Sequence, residues 1–249
     1  MSRLGHKWLL LRSLPKTIRF NFTYLPLADA LRLPVLVCHR VHFERLGGKV
    51  RVAPHSRRGT VHIGFGEVGI FDRERRRSIW QVDGEVVFQG RAELGHGTKV
   101  SVGPGGVLTF GDGFEITAET AIVCRKEITF GKDVLISWDV QVMDTDLHSI
   151  VDADGAVLNP DGRIVIDDHV WIGSRVLVLK GVHVARDSVV AAGSILTRGT
   201  YAANAIVAGS PAREIRHGIS WSSEPAGDVA SDEEADGKQS RRGAPDLAG

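Results

Sequence analysis

The chain has 249 residues, with 31 Lys plus Arg against 30 Asp plus Glu, 43% apolar residues and 6% aromatic, enough to bury one sizeable core or two small ones. A formal net charge of +1 excludes the basic excess of a dedicated nucleic-acid binder, and no motif of that class is present. The two cysteines, Cys38 and Cys124, sit in apolar sequence; they exclude a disulfide-stapled scaffold and fit free thiols in a reducing compartment.

Charge divides the chain into residues 1–50, 51–221 and 222–249. The first segment carries nine Lys or Arg against Asp29 and Glu44. Pro15, Pro26 and Pro34 punctuate it, so short helices are predicted from Leu4 to Leu14 and from Leu27 to Arg45, the second bent at Pro34. Such a basic amphipathic segment suits a helical cap on the end of the next domain, the favoured reading, or contact with an anionic membrane surface. Its longest apolar runs, Trp8 to Leu11 and Pro34 to Cys38, fall far short of a membrane span, and no signal-peptide cleavage pattern follows. A cytoplasmic protein is expected, with the inner face of the membrane as its alternative site.

In the middle segment an internal period decides the fold. From Ile116 to Val142 apolar residues come in pairs flanking one residue, and the pairs lie six apart: Ile116/Ala118, Ile122/Cys124, Ile128/Phe130, Val134/Ile136, Val140/Val142. The spacing resumes at Ile164/Ile166 and runs through Val170/Ile172, Val176/Val178, Val182/Val184, Ser188/Val190 and Ser194/Leu196. Looser pairs precede it at Trp80/Val82, Val86/Phe88, Ala92/Leu94, Val100/Val102 and Leu108/Phe110. Ten apolar hits in the ten positions of the first run would arise by chance in roughly two of ten thousand registers, so the period is real. A strand alternates sides at each residue, so each pair points two side chains one way, and six-residue spacing demands a corner after each short strip. Turn-prone residues such as Gly103 to Gly106, Gly111 to Gly113 and Gly173-Ser174 supply the corners. Three strips closing a triangle make one coil, and stacked coils bury a continuous aliphatic core: an all-β protein, a parallel β-helix of hexapeptide repeats over 51–221 behind a short helical N-terminal segment.

The phrases Ile172-Gly-Ser-Arg-Val176, Val189-Val-Ala-Ala-Gly-Ser194 and Val207-Ala-Gly-Ser-Pro-Ala-Arg213 resemble the left-handed β-helix acyltransferases, a family of mostly trimeric enzymes. Within it the chain is most similar to the O-acetyltransferases of capsule and lipopolysaccharide biosynthesis. Pro15-Lys-Thr-Ile-Arg-Phe-Asn21 with Leu33-Pro-Val35 matches that branch more loosely. The resemblance alone supplies the left hand of the helix, because parallel crossovers are otherwise overwhelmingly right-handed.

The paired pattern stops between Val142 and Ile164, where Met143 to Gly162 reads MDTDLHSIVDADGAVLNPDG. A long interruption of strict repetition is where function is expected, because a loop projects side chains without disturbing the stack. The step from Val142 to Ile166 is four repeat lengths, so the loop is expected to replace strips of the wall. His148 falls at the next in-phase position, so the chain must leave its regular path before it. Asp144 and Asp146 precede it at intervals of two, which in extended chain puts all three on one side. A carboxylate beside an imidazole fixes its tautomer and raises its basicity, and acyl transfer to a hydroxyl needs such a base. The phrase also resembles the family's D-x-D-x-H, and His148 is the expected catalytic base. His169 and His183 fall at outward positions and are expected on the surface.

Ser174 and the Ala191-Ala192-Gly193 turn are small enough for close approach of a cofactor arm; alternatively they are simply corner residues. The resemblance implies that Ser174, Ala192 and Gly193 line the pantetheine of acetyl-CoA. Trp171 points away from the core pair Val170/Ile172, and it resembles the family's tryptophan beside the reactive end of acetyl-CoA. Arg198, Arg213 and Arg216 follow the last coils as cations for nucleotide phosphates. Arg198 stands where the family usually has lysine, and Arg213 after Ser210-Pro-Ala is the better match. Trp138 and Asp139, between core positions Ile136 and Val140, are expected to face the acceptor, and packing at a subunit interface explains Trp138 equally well.

The expected function is acetyl transfer from acetyl-CoA to a sugar hydroxyl in cell-surface polysaccharide biosynthesis, by a homotrimer, with His148 as general base and no metal. Two other classes stay open. One is a metal-dependent hydratase resembling the γ-class carbonic anhydrases, which needs three converging histidines; the other is a non-catalytic trimeric scaffold. The segment 222–249 has seven acids against three bases and only Val229 and Leu247 as large apolar residues, too few to offset its ordering entropy, and is expected to be disordered.

Overall fold

The computed structural model describes residues 3–54, 56–66, 68–72 and 75–223. The tail expected to be disordered lies outside them from residue 224 onward.

Both members of every six-step pair are buried, from Trp80/Val82 to Ser194/Leu196. The strands that carry them form three parallel sheets. The first sheet runs from Val35–Val37 to Ala205–Gly209, the second from His42–Leu46 to Ile195–Leu196 and the third from Lys49–Val52 to Gly199–Tyr201. Each turn of chain visits first, second and third sheet in order, making seven coils of a left-handed β-helix. Identical register stacks like on like. Phe88, Phe110 and Phe130 are successive partners in the third sheet, their rings 5.1 and 5.8 Å apart and 13° and 6° from parallel. Corners repeat too. Gly97, Glu119, Asp139, Arg175 and Gly193 all take positive φ between the first and second sheets, and Gly113, Asp133, His169, Asp187 and Asn204 do so between the third and first.

The N-terminal segment departs from expectation. Helix α1 is a single element, Arg3–Tyr24, running through Pro15. Pro15 and Leu11 are both exposed, so the carbonyl that loses its donor faces water, which makes the proline tolerable. The helix expected from Leu27 to Arg45 is replaced by the four-residue α2, Leu27–Ala30, and the first two strands, Val35–Val37 and His42–Leu46. Leu33 takes a φ of 49° before Pro34, which ends the helix. Val35 and Val37 then alternate inward against Val61 and Ile63 of the next coil. The β-helix therefore begins inside the basic segment.

α1 runs antiparallel to that first strand and closes its open edge. Asn21 donates to the Val35 carbonyl at 2.7 Å and accepts from its N–H at 3.2 Å; Thr17 Oγ1 accepts from Val37 N–H at 3.0 Å; Ser13 Oγ accepts from His39 N–H at 3.1 Å. Spacing of four puts these three on one helix face, where they satisfy backbone groups that otherwise have no strand below them. Phe20 plugs the end of the core against Trp80, whose Nε1 donates to Tyr24 at 3.1 Å. At the other end Ala212–His217 folds back antiparallel on Ala205–Gly209. No described helix is long and apolar enough to cross a membrane.

Candidate active site

The interruption after Val142 is an insertion. Ile128 pairs with Ile164 and Val142 with Val178, so the wall keeps all its strips and the extra chain leaves at the corner between the second and third sheets of the fifth coil. The expectation that it replaces strips is corrected: the step of four repeat lengths is a coincidence of length.

Its root is Asp144. The carboxylate is fully buried and accepts from the backbone N–H groups of Arg125, Lys126 and Glu127 at 2.7, 2.8 and 2.8 Å. It therefore closes the corner of the coil beneath. Asp146 points elsewhere, accepting from Lys180 Nζ at 2.5 Å and Asn159 Nδ2 at 2.7 Å; those donors hold its carboxyl below the usual carboxylate range. The expected row of Asp144, Asp146 and His148 on one side is thus corrected. Alternation fails because the strand ends at Met143 and the chain bends at Asp144; beyond Asp146, Leu147 turns it again with a φ of 60°, a conformation that costs a non-glycine residue about 1 kcal/mol.

His148 follows that turn, exposed, with Nδ1 3.4 Å from the Asp146 carbonyl. It stands at the root of the loop, and the tip is a small hairpin bridged at Val151 and Val157. Asn159 locks the two together: Nδ2 donates to the His148 carbonyl at 2.9 Å, and Oδ1 accepts from Ile150 N–H at 2.5 Å. His148, Arg125, Thr145, Ser149 and Asn159 line a cavity of about 470 Å³. Asn159 and Lys180 were missed in the sequence. The Asn-Pro pair at 159–160 signals only a turn, and nothing local ties Lys180 to a loop one coil below.

The cofactor candidates divide. Trp171 is outward as expected, 37% exposed, with Nε1 donating to Ser137 Oγ at 3.2 Å. Ser174 lies on the corner after it, and its carbonyl accepts from Gly193 N–H at 2.9 Å in the coil above. Ala192 is exposed beside it, and a side chain at Gly193 would meet only open space. Trp138 and Asp139 belong to the same corner one coil lower, where the Trp138 carbonyl accepts from Arg175 N–H at 3.0 Å. Arg213 is exposed on the final hairpin beside the first sheet. Arg216 shares that hairpin. Arg198 instead sits on the corner between the second and third sheets, lining a cavity of about 710 Å³ with Lys126, Arg163 and His183. One prism therefore places His148 and Arg198 on one corner and Trp171, Ser174, Ala192, Gly193 and Arg213 along another side.

His169 and His183 each pair with a carboxylate, Asp187 at 2.9 Å and Asp167 at 3.0 Å. His169 is also stacked on Trp221, 4.4 Å between ring centres. Cys124 is buried and its thiol is pushed far up by that burial, with Asp144 adding to the effect, so it supplies no thiolate. Among the described residues no group of three His, Cys, Asp or Glu side chains converges as a metal site.

No protein-family model matches the chain. Individual relatives do. The chain is 30% identical over 143 residues to the putative lipopolysaccharide biosynthesis O-acetyl transferase WbbJ of Escherichia coli K12, covering 54% of this chain and 72% of that one. The chain belongs to the hexapeptide-repeat O-acetyltransferases. Other members are similar over shorter spans. The polysialic acid O-acetyltransferase of Escherichia coli O1:K1 is 33% identical over 138 residues, 55% of this chain and 42% of the relative. The galactoside O-acetyltransferase of Escherichia coli K12 is 33% identical over 114 residues, 45% and 55%. Among solved structures, the polysialic-acid-specific acetyltransferase NeuO aligns over 84% of each chain at 23% identity with a TM-score of 0.48.

Proposed function

We propose that this acetyltransferase moves an acetyl group from acetyl-CoA to a sugar hydroxyl of a cell-surface polysaccharide or its precursor, on the cytoplasmic side, with His148 as general base. The observation that carries the reading is an exposed imidazole in the phrase Asp144-Thr-Asp-Leu-His148, at the root of the longest described insertion of a chain of this family. The acceptor class follows the relatives, whose names specify lipopolysaccharide, polysialic acid and galactosides.

His148 removes the hydroxyl proton as the oxygen attacks the thioester carbonyl. A backbone N–H at the Ser174 corner stabilises the oxyanion, and the thiolate of CoA leaves, taking the proton back from the imidazolium. Trp171 flanks the thioester, Ser174, Ala192 and Gly193 admit the pantetheine, and Arg198 and Arg213 meet the phosphates. Asp146 acts as a positioning residue through Lys180 and Asn159. Because His148 and the Trp171 side lie on different parts of one prism, the complete site forms between copies, in a homotrimer. The loop supports this: Leu147, Ile150, Val151, Val157 and Leu158 are each more than half exposed, a patch that suits burial on a neighbouring subunit.

The test is release of CoA thiol in the presence of O-antigen precursor, polysialic acid or galactoside. His148→Ala should lower turnover by about 10²–10⁴-fold with an unchanged melting temperature; near-normal turnover would remove His148 as the base. Co-assembly of His148→Ala with Trp171→Ala chains should restore part of the activity, since mixed trimers contain one intact site. A folded protein that fails to bind acetyl-CoA by calorimetry would favour the scaffold reading.

A further inference from the structure

We infer that the outward face of α1 is a docking surface for an anionic lipid bilayer. The helix is built inside out. Its inward face is the polar ladder Ser13, Thr17 and Asn21, with Phe20, described above. The opposite face carries Trp8, Leu11, Pro15, Ile18 and Phe22, spaced three, four, three and four, which on a helix is one continuous stripe. Trp8 and Leu11 are 59% exposed, Ile18 42% and Phe22 47%. Leu27 and Leu31 on α2 and at its end are also open, 66% and 67% exposed. Among the described residues the stripe is left open, and the core is already plugged by Phe20.

Charge selects the occupant. α1 holds five Lys or Arg and no acid. At 100° per residue, Arg12 and Arg19 fall on one side of the stripe and Lys7 on the other, all exposed, where long basic side chains reach the headgroups while apolar neighbours enter the acyl boundary. Arg19 lies over the Phe43 ring at 5.6 Å, and Lys16 is turned inward onto the Val41 carbonyl. The two acids of residues 1–50 are occupied off the stripe, Asp29 by Arg32 at 3.5 Å and Glu44 by His42 at 3.1 Å. The His39 imidazole at this end is held below its usual pKa, first by burial and then by Arg12, Arg40 and Lys16, which reports a positive local field. A second copy of the helix would bring like charges together, whereas an anionic surface meets both apolar stripe and bases. The two readings of the basic segment are therefore two faces of one helix, cap on one side and bilayer on the other. This inference is independent of the acyl-transfer assignment.

The experiment uses the full-length chain with vesicles of phosphatidylcholine with and without phosphatidylglycerol. The protein should sediment with the anionic vesicles and stay in solution with phosphatidylcholine alone, and added salt should release it. Leu11→Glu with Phe22→Glu should lower binding about tenfold or more, with unchanged circular dichroism. In the unmodified protein, brominated phosphatidylcholine in the anionic vesicles should quench Trp8, and the quenching should vanish in Trp8→Phe. Absence of sedimentation, or absence of quenching, overturns the inference. So does a wild-type protein that ignores vesicles but forms larger assemblies that the double variant dissolves, which would make this face an interface between copies.

Discussion

The wall and the loop obey opposite rules. In the upper coils the partner of a residue lies 18 positions away, as Val178 pairs with Leu196, and each inward side chain touches an equivalent one above and below. Stability there is a sum over near-identical units. The insertion after Val142 has no such redundancy. It is held by the buried Asp144, by the contacts of Lys180 with Asp146, and by three hydrogen bonds of Asn159. A repetitive scaffold thus confines chemistry to a place where a handful of side chains sets the position of one imidazole, and the two regions can be perturbed separately.

The comparison breaks most strongly in the wall. Phe110 sits at the centre of the phenylalanine stack, between Phe88 and Phe130, and Phe110→Ala should cost about 3–5 kcal/mol of stability. Denaturant titration checks it, and activity per folded molecule should stay close to normal. The loop sharpens the comparison through two residues only fifteen apart. Asp144→Ala leaves three backbone N–H groups at a half-buried corner without their acceptor and should cost about 1–3 kcal/mol, because that side chain belongs to the wall. Asn159→Ala should leave the melting temperature nearly unchanged while lowering turnover about tenfold, because it only locates His148. If the two variants gave the same pattern, wall and loop would be one cooperative unit.

How much of this was legible follows from the same division. Repetition is written in the sequence many times over, so inward pairs such as Ile128/Phe130 and Val176/Val178 announce their faces without tertiary information. The outward direction of Trp171 and the special nature of the 143–162 stretch follow from that register. Legibility ends where a contact is made once. Asp144 and Asp146 look alike in sequence, yet one fills a corner built by Arg125 to Glu127 and the other meets Lys180 from the next coil. Alternation predicted a shared side, but the strand stops at Met143 and the bend at Asp144 removed it, with the positive φ at Leu147 turning His148 away in its own direction. The segment after Leu27 failed for a related reason: its apolar residues suit a helix or a strand, and the edge of the second coil decided for strands. Nor does periodicity reveal that Ser13, Thr17 and Asn21 face inward, since polar residues four apart ordinarily mark the solvent side of a helix.

The smallest expected effect tests the outer surface of the wall. Glu115 faces out of the first sheet, and its pKa is raised, first by partial burial and then by Glu93 beside it, with Arg91 opposing. Glu93 and Glu115 are direct partners in adjacent strands, where like charges repel. A carboxyl whose pKa is raised by folding is an asset while protonated, and that contribution is lost as pH rises through the folded-state value. Glu115→Gln removes the charge but keeps the shape. The variant should therefore be slightly more stable than the parent at neutral pH, and the difference should shrink to nothing in acid once the parent carboxyl is protonated. Thermal melts at the two pH values measure it. A variant less stable than the parent at neutral pH would mean that Arg91 outweighs Glu93 and the burial, and that the outer face of the wall is organised by attraction across its strands.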